Sequence, residues 1–250
     1  MIDIHSHLLP GVDDGSPSVA ASVPVLERFR GQGVECVVLT PHLEASRVAN
    51  APHAVHAALL DTLRAAVPDG PELLLGWEIM LDEPRVDLRS PLLGLGGSGA
   101  VLVEFPRNAV PAQAGEELYR IRSMGSVPVL AHPERYWGCT VEKVGEWRRA
   151  GAVIQMDTAG LLGSGSISRI SHALLEAGLV DLFASDNHGD SRSLAVARDW
   201  LLEIAGPEHA SLLTRTNARR LLDGEPTIPV PPLPRRSGMV ERLRSMFFLR

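Results

Sequence analysis

Short apolar runs of strand character alternate with helical stretches along most of this chain, and that alternation limits the fold more than any other feature. Residues 1–5 read as a strand. Residues 17–33 read as a helix, with Val19, Val23, Leu26 and Phe29 on one face and Gly33 as its stop. Residues 34–40 form a buried strand and 51–66 a helix, followed by strands over 72–78 and 101–105. A helix over 112–124 leads to a strand over 127–131, and a helix over 141–150 to a strand over 153–156. A helix over 167–177 precedes a strand over 180–184, and helices over 191–205 and 212–222 close the series. About seven β-then-α units argue for a parallel sheet covered by helices. The near-continuous apolar character of the strands buries them on both faces. That many units in about 220 residues predict an α/β, TIM-like barrel, closed or nearly closed. A doubly wound open sheet is the alternative, and no period of a repeat protein is present.

Groups able to bind a metal fall at the C-terminal ends of these strands. The chain opens MIDIHSHLLPGVDDG. Residues two apart on a strand point to the same side, so His5 and His7 aim two imidazoles at one point. In the turn that follows, Asp14 reads as the ligand and Asp13 as the turn residue beside it, although the two can exchange roles. His42 follows the second strand, Glu78 ends the third and Glu104 the fourth, His132 follows the fifth, and Asp186 and His188 follow the last. In a parallel barrel those ends converge on the face where active sites are built. Nine nitrogen and oxygen ligands with no thiolate exceed the need of one ion. They suit two or three, with a carboxylate such as Glu104 bridging. Mixed imidazole and carboxylate ligation favours Mn, Fe or Zn. Such a site binds phosphoryl oxygens and brings the pKa of water to about 7, so no covalent nucleophile is required. Cysteine chemistry is excluded for a phosphatase. That mechanism needs an arginine six residues beyond the cysteine, where Cys36 has His42 and Cys139 has Gly145. Arg135 and Arg47, on the loops after His132 and His42, can grip a phosphate. His53, His56, His172 and His209 lie in or beside helices and read as structural or solvated.

A net charge of −6 argues against a general nucleic-acid-binding surface. No apolar run reaches the ~20 residues of a membrane span, and no secretory signal is expected. Two cysteines are too few for a disulfide framework, which suits a reduced cytoplasmic setting. The sequence divides into a barrel over 1–225 and a tail over 226–250. PTIPVPPLP, residues 226–234, reads as an extended linker. In residues 235–250, Met239, Leu243, Met246 and Phe247 share a helical face, and Arg235, Arg236, Arg242, Arg244 and Arg250 add positive charge. That segment is either a packed or frayed end, or a docking helix for a protein partner or an anionic membrane surface.

The motifs resemble the polymerase and histidinol phosphatase (PHP) superfamily. They are most similar to its bacterial manganese-dependent protein-tyrosine phosphatase branch, which works beside capsular and exopolysaccharide tyrosine kinases. DIHSHLLPGVDDG is the most specific stretch; VVLTPH, GWE, VLVEFP, PVLAHPERY and ASDNH follow in the family's order, and TNARRLLDGEP resembles its closing helix. The resemblance spans about residues 1–225 and implies a distorted (β/α)7 barrel around a trinuclear cluster. It assigns His5, His7, Glu104 and Asp186 to one ion, Glu78, Glu104 and His132 to a second, and Asp14, His42 and His188 to a third. It implies two or three Mn2+ ions and hydrolysis of phosphotyrosine, with Arg135 neutralising charge. The implied substrate is the tyrosine-rich tail of a membrane-associated kinase controlling capsule or exopolysaccharide synthesis. The protein would then be cytoplasmic, either free or peripheral at the inner face of the membrane through residues 235–250. Trp77 departs from the small or amide residue usual before the glutamate; it can narrow the pocket or stack on the phenol ring. Two alternatives stay open: a small-molecule phosphatase of the histidinol-phosphate type, and a non-catalytic metal-binding scaffold that docks a kinase.

Overall fold

The computed structural model describes residues 1–163 and 165–234. Its strands are β1 (Ile2–Ser6), β2 (Cys36–Leu39), β3 (His42–Glu44), β4 (Glu72–Leu75), β5 (Glu78–Met80), β6 (Ala100–Glu104), β7 (Val127–Ala131), β8 (Val153–Asp157) and β9 (Leu182–Ala184). All pair in parallel, in the orders β1-β2-β4 and β3-β5-β6-β7-β8-β9. The two sheets are one wall. β3 continues β2 past Thr40 and Pro41, and β5 continues β4 past Gly76 and Trp77. Across the gap Gly76 N–H donates to Leu39 O and Glu78 N–H to Pro41 O. The stretch 72–78, read as one strand, is therefore two, interrupted by Gly76 and Trp77 directly before its glutamate. Counted as staves, the wall has seven.

The last stave returns to the first. Ser6 bridges Asn187, Asp186 N–H donates to His5 O, and His7 N–H donates to Asn187 O. Asp3 Oδ1 accepts from Ser185 N–H at 3.0 Å. The ring is closed, as a distorted (β/α)7 barrel requires, and the open doubly wound alternative does not describe it.

Helices α1 (Val19–Gly31), α2 (His53–Ala66), α3 (Ala114–Ser123), α4 (Val141–Arg149), α5 (Ala159–Leu162), α6 (Ser166–Glu176) and α7 (Leu194–Ile204) fill the crossovers. Ser18, Thr140 and Ser193 cap α1, α4 and α7 by accepting from backbone N–H groups of the first turn. The stretch 212–222, read as one helix, is a π-helical turn (Leu212–Thr216) running into α9 (Asn217–Leu222), with α8 (Pro207–Ser211) before it.

Alternation along the staves sorts the side chains. Val37, Leu39, Val101, Val103, Leu130, Ile154 and Phe183 join the apolar layer under the helices. Ile2, Ile4, Val38, Leu102, Val129, Leu182 and Ala184 form a second apolar cluster with Leu221 of α9. That cluster fills the lower half of the barrel. Continuing the same phase upward brings Glu104, Gln155, Asp157 and Asp186 to the inside of the top. β1 needs a phase change to join them. Asp3 pairs with Val37 and Ser6 with Leu39, so β1 spends three residues where β2 spends two. This bulge lets Ile2 and Ile4 face the apolar cluster while His5 and His7, one step out of phase, face the polar top.

Residues 226–234 are extended, as their prolines dictate, but they are not a free linker. Asn217 Nδ2 donates to Ile228 O, Asn217 Oδ1 accepts from Ile228 N–H, Leu233 N–H donates to Leu175 O, and Val230 and Leu233 are buried. The segment is a strap on the barrel, so packing continues past the boundary expected at 225. The basic stretch 235–250 lies outside the described residues. Among the described residues no helix is long and apolar enough to cross a membrane.

Candidate metal centre

All nine residues singled out as ligands meet at the top of the barrel. Their ligand atoms fall into four overlapping groups, each with its atoms within 4.8 Å of one another: His5, His7 and Asp186; His5, Glu78 and His132; His42, Glu78 and Glu104; and His7, Asp14, His42 and His188. Glu78 stands at the centre. Its Oε2 lies 3.4 Å from His5 Nε2, 3.3 Å from His7 Nε2 and 2.9 Å from His42 Nδ1, and its Oε1 2.8 Å from His132 Nε2. Glu104, expected to bridge, stands beside it, 4.0 Å from His42 Nδ1 and 3.9 Å from His132 Nε2. Asp186 Oδ1 is 3.3 Å from His5 Nε2 and 3.2 Å from His7 Nε2. Asp14 Oδ1 lies between His42 Nε2 at 3.3 Å and His188 Nε2 at 3.4 Å on the solvent side.

The backbone bends to make this possible. His132 and Asp186 sit just past strand ends with φ of +33° and +47°. These left-handed values are uncommon outside glycine and concentrate where function holds them. They turn both side chains inward. In the loop after β1 a Cβ on Gly15 would lie 2.1 Å from the His7 carbonyl oxygen, so only glycine lets the loop fold back.

Neighbours fix the imidazoles. Asp13 Oδ2 accepts from His7 Nδ1 at 2.8 Å and from His42 N–H at 3.3 Å, while Asp13 Oδ1 accepts from Gly15 N–H at 3.0 Å. Gln155 Oε1 accepts from His5 Nδ1 at 3.0 Å. Each contact leaves the Nε2 lone pair facing the cluster, the usual arrangement behind a metal-bound histidine. Asp13 is thus the positioning residue and Asp14 faces the ligands.

The electrostatics suit a cation. Burial pushes the His132 pKa down to about 4, so its imidazole is neutral. Burial and the neighbouring Glu78 charge push Glu104 up to about 7. Burial alone would raise Glu78, but His5, His132 and His42 hold it well below the carboxylate range. Burial likewise opposes the charge on His7, yet Asp13, Asp186 and Glu78 raise its pKa well above the ordinary value. Without a cation, His5 Nε2 and His7 Nε2 face each other at 3.2 Å among buried carboxylates. A divalent ion satisfies both lone pairs and the carboxylates together, so the donor set fits a metal.

The arginines differ from the expectation of free phosphate grips. Arg135 Nη2 is engaged by Asp157 Oδ2 and, at 2.7 Å, by Asp186 Oδ2. Arg192, not singled out in the sequence, also reaches Asp186 Oδ2 at 3.2 Å. Arg47 is 75% exposed, with Nε 2.7 Å from Glu44 Oε2. Sequence reasoning also passed over Gln155, Asp157 and Glu134. Gln155 and Asp157 share the inward phase of Val153 on β8, a signal the apolar run masked. Glu134 Oε1 accepts from Asp157 N–H at 2.8 Å, and burial pushes its pKa up to about 8.

A cleft of about 860 Å³ opens beside the cluster and is bounded by His42, Glu104, Met80, Arg47, Trp77 and His56. Trp77 narrows it but cannot stack on a ligand ring: it is 1% exposed, its Nε1 donates to Leu92 O, and its face is covered by His56. His53 meets the same indole edge-on, His172 lies beside Trp200, and His209 Nε2 bonds Pro231 O. Burial raises both cysteine thiols to about 12, which removes them from nucleophilic chemistry.

Comparison with known proteins agrees with this geometry. The model of the capsular polysaccharide synthesis family CpsB/CapC matches residues 1–223, and the chain belongs to that family. The tyrosine-protein phosphatase YwqE of Bacillus subtilis (strain 168) is 31% identical over 246 residues, covering 94% of this chain and 96% of that protein. The tyrosine-protein phosphatase CpsB of Streptococcus pneumoniae is 28% identical over 242 residues, covering 89% and 98%. A structure from a crystallographic study of YwqE and CpsB, described there as unique metal-dependent tyrosine phosphatases, superposes with a TM-score of 0.83 at 29% identity, covering 94% of this chain and 99% of its own. The phosphotriesterase from Mycobacterium tuberculosis, with a TM-score of 0.53 and 13% identity, shares the fold alone.

Proposed function

We propose that this member of the CpsB/CapC family is a metal-dependent protein-tyrosine phosphatase. It hydrolyses phosphotyrosine on a membrane-associated bacterial tyrosine kinase that controls capsule or exopolysaccharide synthesis. The observation that carries the reading is the convergence of nine nitrogen and oxygen ligands, from six of the seven staves and the loops that follow them, onto overlapping groups at one barrel mouth.

The residues fit two or three ions, with Mn2+ preferred over Fe or Zn. His5, His7 and Asp186 would hold one, His5 or Glu78 with His132 and Glu104 a second, and Asp14, His42 and His188 a third. When bound, the ions supply Lewis-acid charge to phosphoryl oxygens and make water acidic enough to attack near neutral pH. The chain supplies the rest. Asp13 and Gln155 hold the His7 and His5 rings in register. Arg135, braced by Asp157 and Asp186, adds positive charge where negative charge grows on the phosphoryl group. Arg47, at the open edge of the cleft, meets the incoming anion. Val12, Leu43 and Met80 give the phenol ring an apolar wall. A phenolate leaves readily, so little general-acid help is required.

The test compares phosphate release from a phosphotyrosine peptide with release from histidinol phosphate, using manganese-loaded protein. Preference for the peptide supports the reading. Preference for histidinol phosphate moves the chain to small-molecule chemistry, and no release from either leaves only a scaffold role.

A further inference from the structure

The cleft runs from the metal ligands His42 and Glu104 to His56 on α2, and His56 is unusual among the groups that line it. It is 6% exposed, its Nδ1 is buried with no hydrogen-bond partner, and its Nε2 makes no hydrogen bond among the described residues. Its ring is nevertheless held in place, stacked on Trp77 with centroids 4.6 Å apart and planes at 26°. Trp77 is itself tied to Leu92 O and met edge-on by His53. A polar ring this rigid and this buried normally finds partners for its nitrogens.

The chemistry of the open nitrogen follows from the closed one. A buried orphan N–H is rarer than a buried orphan acceptor. The favoured tautomer therefore leaves Nδ1 bare and places the proton on Nε2, the nitrogen that is not fully buried, on a ring that lines the cleft. Burial, the largest influence, lowers the His56 pKa, so the donor is uncharged. An uncharged N–H suits a neutral acceptor better than a phosphate dianion, and the phosphoryl group belongs at the other end of the cleft, with His42 and Glu104. A volume of about 860 Å³ leaves room for more than one aryl phosphate. The acceptor at the His56 end is then the part of the substrate beyond the phenol ring.

We propose that His56 is a specificity-determining residue: its Nε2–H donates a hydrogen bond to a main-chain carbonyl of the polypeptide flanking the phosphotyrosine, and so distinguishes a phosphorylated chain from a small aryl phosphate. This rests on the phosphatase reading above.

The experiment measures kcat/KM of manganese-loaded protein on a phosphotyrosine peptide and on p-nitrophenyl phosphate, for the native chain, His56→Leu and His56→Gln. Leucine fills the space without a donor, and the glutamine amide nitrogen approximates the position of Nε2. The expected result is a fall of about tenfold in the peptide-to-aryl-phosphate ratio for His56→Leu, carried by KM, the scale of a lost hydrogen bond that strands its acceptor. His56→Gln should restore most of the ratio. An unchanged ratio in His56→Leu overturns the proposal. So does an equal loss on both substrates, which marks a purely structural role. A native chain inactive on both substrates overturns the phosphatase reading itself, and the inference with it.

Discussion

At the scale of single residues, the account turns on how imidazoles are aimed. A pair of histidines two apart carries no chemistry by its spacing alone; here each of His5 and His7 is held from behind. The two hold-backs differ chemically, since His7 leans on the Asp13 carboxylate and His5 on the neutral Gln155 amide. Asp13 also reaches His42 N–H and Gly15 N–H, so it ties two ligands and the loop between them. Replacing Asp13 with Ala should lower metal affinity about tenfold to hundredfold while the fold persists, the usual cost of losing such a partner. Metal titration with circular dichroism as a control checks this, and undiminished affinity would contradict it. Most of the candidate ligands are legible in the sequence because each is a charged or imidazole group at the end of an apolar run; Asp14, in the turn after His7, is the exception. Gln155 is not legible, because an amide inside a strand carries no such contrast. The sequence places Arg135 three residues past His132 but cannot show that two carboxylates engage it, because ion pairing depends on staves far apart in sequence.

At the scale of elements, three local departures from regular structure build the site. The bulge in β1 switches phase so that two isoleucines and two histidines share the interior. The breaks at Thr40–Pro41 and Gly76–Trp77 divide two staves just below His42 and Glu78. The left-handed residues His132 and Asp186 turn inward after β7 and β9. Apolar periodicity locates every stave but cannot show the breaks, since a two-residue interruption leaves the pattern in phase. The same limit hid the strap. Proline spacing announces extended chain, not what it lies on; the packing of 226–234 depends on Asn217. That side chain is fully buried, donating to Asp181 O at 2.8 Å and to Ile228 O at 2.9 Å, and accepting from Ile228 N–H at 2.8 Å. Asn217→Ala should destabilise the fold by roughly 2–4 kcal/mol, because it strands several buried polar groups at once. In a chain of this size that lowers Tm by about 5–12 °C in thermal unfolding; an unchanged Tm would show that the strap adds nothing.

At the scale of the whole molecule, the barrel concentrates charge that it does not neutralise by itself. Five histidines and four carboxylates share one mouth. The sign of the pH dependence follows from their pKa directions. In the metal-free protein His7 is raised well above its ordinary value and holds its proton near neutrality, while Glu104, raised to about 7, is partly protonated there. A metal must displace those protons, and affinity should rise with pH through the neutral range. His132, at about 4, competes with the metal only in stronger acid. Calorimetric manganese binding at pH 6.5 and 8.0, in buffers of different ionisation enthalpy, should show tighter binding at the higher pH and proton release at the lower. Affinity independent of pH would contradict the charge arrangement.

The central claim, that the barrel mouth is a metal centre performing phosphotyrosine hydrolysis, is tested most directly by one measurement. Phosphate release from a phosphotyrosine peptide is followed with native protein, with protein stripped by chelator, and with stripped protein reloaded with manganese. The account predicts release that vanishes on stripping and returns on reloading. Release that survives complete removal of metal would contradict it.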